Sequence, residues 1–219
     1  MSPTEKCLSS TPVAILAPSK PTQILVGCHA EVYNPRDILY GRLPRFRLSD
    51  EGIRQAKATG LFLAARPVAA IYSSPLLRAR QTAHILSDYH RGLRVHFAGD
   101  LLEVLSGYQG SPNTILTPGF SFFEPLKCPA DETMADVWLR MARFLDRVSR
   151  RHTGETIVAV SHADPITIMR VGLLGLPLTA AQLHGAVYPA RASVNQITLS
   201  PREPMSLAYF DVNDEGKTS

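Results

Sequence analysis

A chain of 219 residues and 24.0 kDa, 45% hydrophobic and 19% charged, is sized and balanced for one globular domain with a large core. No apolar run approaches the roughly 18 residues that a membrane-crossing helix requires, and Pro12 to Ala17 is too short for a signal-peptide core, so a cytoplasmic protein without membrane association is expected. The formal charge of +4 includes Arg140, Arg143, Arg147, Arg150 and Arg151, read as the solvated face of one helix rather than a nucleic-acid surface, and three widely spaced cysteines, Cys7, Cys28 and Cys128, predict free thiols without a disulfide framework or paired metal motif.

Residues 1 to 21, rich in Pro, Ser, Thr and Lys, lack any period and read as a flexible tail ahead of a single domain over residues 22 to 215. Ile24, Leu25 and Val26 form a buried strand that ends at Gly27, Cys28 and His29, which sets an imidazole at its carboxyl tip. Ligands of open α/β sheets bind in the crevice beyond such tips. Residues 30 to 49, with Pro35, Gly41 and Pro44, make a long loop able to reach over that tip. Ser49 or Asp50 then caps a helix carrying Ile53, Ala56, Gly60 and Leu63 on one face, and Pro67 follows its end.

Val68 to Tyr72 is a second strand, after which Ser74 as N-cap and Pro75 as first helical residue place Arg78 in the first turn of the next helix. A third strand, Leu93 to Phe97, leads past Gly99 and Asp100 to Leu102 and Glu103. Residues 105 to 130 break into Gly, Pro and aromatics, among them Tyr108, Phe120, Phe122 and Phe123, and are expected to form a lid. Asp131 to His152 is a helix with the stripe Met134, Val137, Trp138, Met141, Phe144, Leu145 and Val148. Thr156 to Val160 is nearly all apolar, as a central parallel strand should be, and ends at Ser161 and His162. Asp164 and Pro165 open the following helix, Ile166 to Leu174, beside whose free N–H groups His162 would sit. Ser193 to Leu199 and Met205 to Val212 close the chain as a hairpin or a pair of edge strands, an edge through which a homodimer could form.

Alternating strands and helices imply a three-layer α/β/α fold with a mostly parallel central sheet, whose carboxyl edge gathers His29, Arg78, Glu103 and His162. Two imidazoles, a guanidinium and a carboxyl around a helix N-terminus suit a phosphoryl group. A Gly-rich phosphate loop, an HExxH pair and paired cysteines are all missing from the sequence, so the expected ligand is a small phosphorylated molecule, with no cofactor, no metal and no nucleic acid.

In this order, strand-His29-Ala30-Glu31, the segment YGRLPRFRLSDEGIRQA at 40 to 56, SSPLLRARQTA at 73 to 83, Leu102-Glu103, Asp131-Glu132-Thr133 and VAVSHADPI at 158 to 166 resemble the histidine phosphatase superfamily, also called phosphoglycerate mutase-like. The resemblance spans about residues 22 to 175. It implies that His29 attacks phosphorus and carries a phosphohistidine, that Glu103 is the proton donor and later the base, and that Arg78 and an imidazolium at His162 hold the equatorial oxygens. Asn34 is a fainter match to an asparagine that follows the nucleophile and would help to bind phosphate.

The family also places an arginine immediately before its nucleophile, where this chain has Cys28. An oriented donor to a developing oxyanion is worth about 10² to 10³ in rate, so a substitute is required, and Arg36, Arg42, Arg45 and Arg47 in the following loop are the candidates. Besides a metal-independent phosphatase, the exchange admits two other functions: an enzyme with non-phosphate acid-base chemistry on the same scaffold, and a non-catalytic binding protein. Cys28 itself is read as a small buried residue, because cysteine phosphatases carry arginine six positions on and Asn34 stands there. No residue separates hydrolysis from mutase activity, and the aromatic lid suggests an apolar leaving group.

Overall fold

β-Formers with apolar side chains on both faces dictate the middle of the molecule. In the computed structural model, which describes residue 15 and residues 17–213, one six-stranded sheet is built from β1 (Thr22–Cys28), β2 (Val68–Ser73), β3 (Val95–Phe97), β4 (Thr156–Ser161), β5 (Val194–Leu199) and β6 (Ser206–Phe210). The strand order is β3-β2-β4-β1-β5-β6, with the first four strands parallel and the last two antiparallel to their neighbours. This is the expected mixed α/β fold around a mostly parallel sheet. The two closing strands do form a hairpin, and its first strand lies inside the sheet against β1.

Period-two alternation divides the core. Ile24, Val26 and Cys28 of β1 and Ile157 and Ala159 of β4 face one side, against α3 (Met134–Arg151) and α4 (Ala163–Leu173). Leu25, Ile71, Val158 and Val160 face the other, against Leu63 of α1 (Asp50–Leu63) and Ala79, Ala83 and Leu86 of α2 (Leu77–Asp88). Helix α3 shows why the stripe was legible. Val137, Met141, Phe144, Leu145 and Val148 are all buried, each contributing about 1.5–3 kcal/mol of transfer free energy, and Thr133 and Asp136 close a reciprocal capping box at its start.

Two local expectations change and one helix is added. Arg140 is not on the solvated face: it lies three residues after Val137 and four before Phe144, so helical periodicity turns it inward, and it is 6% exposed. The N-cap of α2 is Leu76, with no side-chain hydrogen bond of its own, rather than Ser74; the Ser74 hydroxyl accepts from Leu76 N at a long 3.4 Å and is bonded to His162 at 2.8 Å. A short helix, α5 (Ala180–Gly185), begins at Thr179, whose hydroxyl accepts from Gln182 N. Cys7 and residues 1–14 and 16 of the expected tail lie outside the described residues, while Ile15 packs on the larger core cluster and Pro18 is buried. Cys28 and Cys128 are free thiols. No helix among the described residues is long and apolar enough to cross a membrane.

Candidate active site

Parallel pairing sets the site. Cys28 is level with Ser161, so the next residues, His29 and His162, leave adjacent strands side by side, with ring centroids 5.1 Å apart. Arg78 arrives from the first turn of α2, after β2, and Glu103 from the loop that follows β3 and a single 3₁₀ turn, Gly99–Leu101. The four segments expected at the sheet edge therefore meet. His29, Arg78 and His162 are almost wholly buried, and Glu103 is partly exposed at 13% of its side chain.

The tautomer of His29 follows from its neighbour. Nδ1 donates to the Ala30 carbonyl at 2.8 Å, which leaves Nε2 with its lone pair facing the pocket. Two guanidinium groups donate to that nitrogen: Arg78 Nε at 3.1 Å and Arg191 Nη1 at 3.3 Å. Burial, then Arg78, then Arg191 push the His29 pKa well below the ordinary histidine value, so the ring is neutral at physiological pH. Arg78 is itself fixed by a 2.7 Å bond from Nη2 to the Gly41 carbonyl and by stacking on Tyr40.

Arg191 is the member of this cluster that sequence reasoning missed. It precedes β5, and its side chain reaches the Cys28 thiol as well as His29. The four loop arginines do not fill that role. Arg42 is engaged by the Glu103 carbonyl at 2.6 Å and by Glu132 at 2.7 Å, Arg47 lies over the Tyr33 ring, and Arg36 and Arg45 are exposed, whereas His29 is buried. No local pattern marks Arg191, because its meaning depends on β5 pairing with β1.

Glu103 faces Arg78 and His162. Its Oε2 lies 3.8 Å from Arg78 Nη2 and 3.7 Å from His162 Nδ1, and its Oε1 accepts from Val104 N. Burial raises its pKa against the lowering pull of Arg78, which favours the protonated acid. His162 Nε2 is bonded to the Ser74 hydroxyl at 2.8 Å, and its Nδ1 is buried with no protein partner. Burial, Arg78 and His29 hold its pKa well below the usual value, so the expected imidazolium is a neutral ring in the protein's own field. Asn34 is not brought to these residues: its amide and carbonyl are both bonded to the backbone of Ile38, bracing the loop.

The segment Asp131-Glu132-Thr133 holds the site together from behind. Asp131 accepts from the backbone N–H groups of Gly107, Lys127 and Cys128, tying down both ends of the aromatic loop. Glu132 takes Arg42, Arg140 and Leu105 N, and Arg140 in turn donates to the carbonyls of Asp100 and Glu103. Thr133 caps α3. A cavity of about 420 Å³ opens over the site, bounded by Glu103, Asp164 and Arg191 at the sheet edge and by Tyr108, Phe120 and Phe122 on its far wall. Nitrogen and oxygen atoms of His29, Glu103 and His162 lie within 4.8 Å of one another, a spacing that can suit a metal. The donor set does not fit one, because two guanidinium groups point at the His29 nitrogen that would be a ligand.

An α/β sheet with two histidines at adjacent parallel tips, braced by arginines, defines a phosphoryl-handling class of protein. The chain matches the family model of the histidine phosphatase superfamily (branch 1) over residues 24–212 and belongs to that superfamily. It is 35% identical over 164 residues to the uncharacterized Mycobacterium tuberculosis protein Rv0525, covering 70% of this chain and 79% of that one. It is also 31% identical over 141 residues to phosphoserine phosphatase 1 of Hydrogenobacter thermophilus, covering 60% of this chain and 66% of the relative. Among solved structures, the fold resembles that of a mutant phosphoserine phosphatase from Entamoeba histolytica in complex with phosphoserine, with a TM-score of 0.73, 20% identity, and coverage of 88% of this chain and 98% of that one.

Proposed function

We propose that the protein is a metal-independent phosphomonoesterase acting on a small phosphorylated molecule through a phosphohistidine at His29. The observation that carries this is the lone pair of His29 Nε2, freed by the Nδ1 bond to Ala30 and flanked by Arg78 and Arg191, with the protonatable Glu103 beside it. A phosphoryl group seated against Nε2 takes over the N–H donors of both arginines, and His162, with Ser74 donating to Nε2, offers Nδ1–H to a third oxygen. In the first step the N–P bond forms as the P–O bond to the alcohol breaks, and Glu103 gives its proton to the leaving alkoxide. In the second, Glu103 takes a proton from water, whose oxygen attacks phosphorus, and orthophosphate leaves with His29 neutral again.

Arg191 supplies at Nε2 the charge whose loss at position 28 motivated the two alternative functions. The Cys28 thiol is a poor nucleophile, since burial pushes its pKa up to about 11. The named phosphoserine phosphatase among the relatives supports a phosphomonoester as substrate. Wild type is expected to release phosphate from an alkyl phosphate in the presence of EDTA, and His29→Ala to release none. Intact-mass spectrometry after acid-free quenching should find one phosphate adduct on wild type; turnover without an adduct would rule out the covalent route.

A further inference from the structure

The cavity above the site is divided chemically. Its far wall is a mutually packed aromatic group: Tyr108 and Phe120 have ring centroids 5.1 Å apart, Phe120 and Phe122 5.0 Å, all edge to face. Its polar surface lies beside Glu103, where the Asp164 carboxyl and the Tyr188 hydroxyl face one another. What the lining lacks, among the described residues, is an uncommitted cation. Arg191 is turned to Cys28 and His29, His184 Nε2 is bonded to the Phe120 carbonyl at 3.1 Å, and Arg42 behind the wall is held by Glu132. Lys127 lies over the Tyr108 ring at 4.7 Å. A carboxylate or second phosphate on the leaving group would therefore be desolvated against aromatic carbon and would meet Asp164 instead of a positive charge.

We propose that this cavity is a leaving-group subsite for the apolar, anion-free alcohol of a phosphomonoester, and that Asp164 turns away esters whose alcohol carries an acid. The inference rests on the phosphatase function and narrows its substrate class. Burial, and then Glu103, lift the Asp164 pKa to about 7, so below that pH the carboxyl can donate to a hydroxyl on such an alcohol, and above it the carboxylate repels a further anion.

The test uses His29→Ala, which retains both arginines, with calorimetric titration of 2-phenylethyl phosphate, O-phosphoserine and 3-phosphoglycerate. The aromatic ester should bind at least about tenfold tighter than either acid-bearing ester. Asp164→Asn in the same background should narrow that gap by strengthening 3-phosphoglycerate binding. Phe120→Ala with Phe122→Ala should weaken the aromatic ester about tenfold and leave inorganic phosphate unchanged. Equal or tighter binding of phosphoserine or 3-phosphoglycerate, or a gap insensitive to both sets of substitutions, overturns the subsite. Hydrolysis by wild type is scored separately: selective binding without turnover leaves the subsite standing and removes the phosphatase, whereas binding of none of the three esters removes both.

Discussion

Arg191 reaches the imidazole of His29 from 162 residues further along the chain and also contacts Cys28, and in the function proposed above it supplies the charge that position 28 lacks. Arg191→Met should lower kcat/KM by about 10² to 10³, the cost of one oriented donor to the transition state, while Cys28→Ser should change it less than about fivefold, because the thiol is a neighbour of the proposed phosphate ligand rather than a ligand itself. Steady-state kinetics on one alkyl phosphate decides both. The two buried histidines set a stability prediction of definite sign. Unfolded, each binds a proton near pH 6.5; folded, each resists protonation until well below that. Between those values the unfolded state holds more protons, so stability rises with pH and is lost on acidification, by about 1.4 kcal/mol per pH unit for each ring. Asp164 and Glu103, whose carboxyl pKa values are raised, oppose this trend over the same range, so the ring's contribution is read as a difference: from pH 7.5 to 5.5 the urea midpoint of wild type should fall relative to that of His29→Asn.

Elements matter here for what they aim. The bonds of Glu132 to Arg42 and Arg140, with the donations of both arginines to the Glu103 carbonyl, fix the loop that presents the proposed acid without using its carboxylate. Removing Glu132 leaves Arg140 buried and uncompensated, so Glu132→Ala should cost about 3–5 kcal/mol of stability. Glu132→Gln, which retains one acceptor, should cost less and should show its loss in kcat more than in KM. Denaturation midpoints and kinetics together check the pair. Helix α1 approaches the site through Gly52, where an added Cβ would collide with the Glu31 carbonyl oxygen. The backbone of residue 31, two positions after His29, is thereby pinned by the helix start as well as by Ser49 and Gln55.

At the scale of the whole molecule, ligand binding and folding are linked because the site is assembled from β1, β4, α2 and the loops before β5 and after β3. None of these alone holds two of the proposed phosphate donors, so a bound anion stabilises the assembled state. Inorganic phosphate at about 100 times its Kd should add about 2.7 kcal/mol, a rise of roughly 5–10 °C in Tm for a chain of this size. Differential scanning fluorimetry should register the rise in wild type and a much smaller one in Arg191→Met. Equal shifts in the two proteins would mean that Arg191 does not touch phosphate.

Local pattern determined most of the scaffold. Periodicity marked β1, β4 and α3, the serine-proline run located Arg78 in the first turn of its helix, and the parallel rule brought His29, Arg78, Glu103 and His162 to one edge. Those inferences hold because burial, helical spacing and strand direction act over a few residues. Tertiary structure alone decided the rest. Arg191 acquires its place only when β5 pairs antiparallel with β1, and Ser74 makes its shorter bond to His162 rather than to the start of α2 because β2 and β4 are neighbours. Asn34 spends its side chain on its own loop. Charge and hydrogen bonding at the site depend on distances between segments far apart in the chain, which the order of residues does not encode until the sheet is formed.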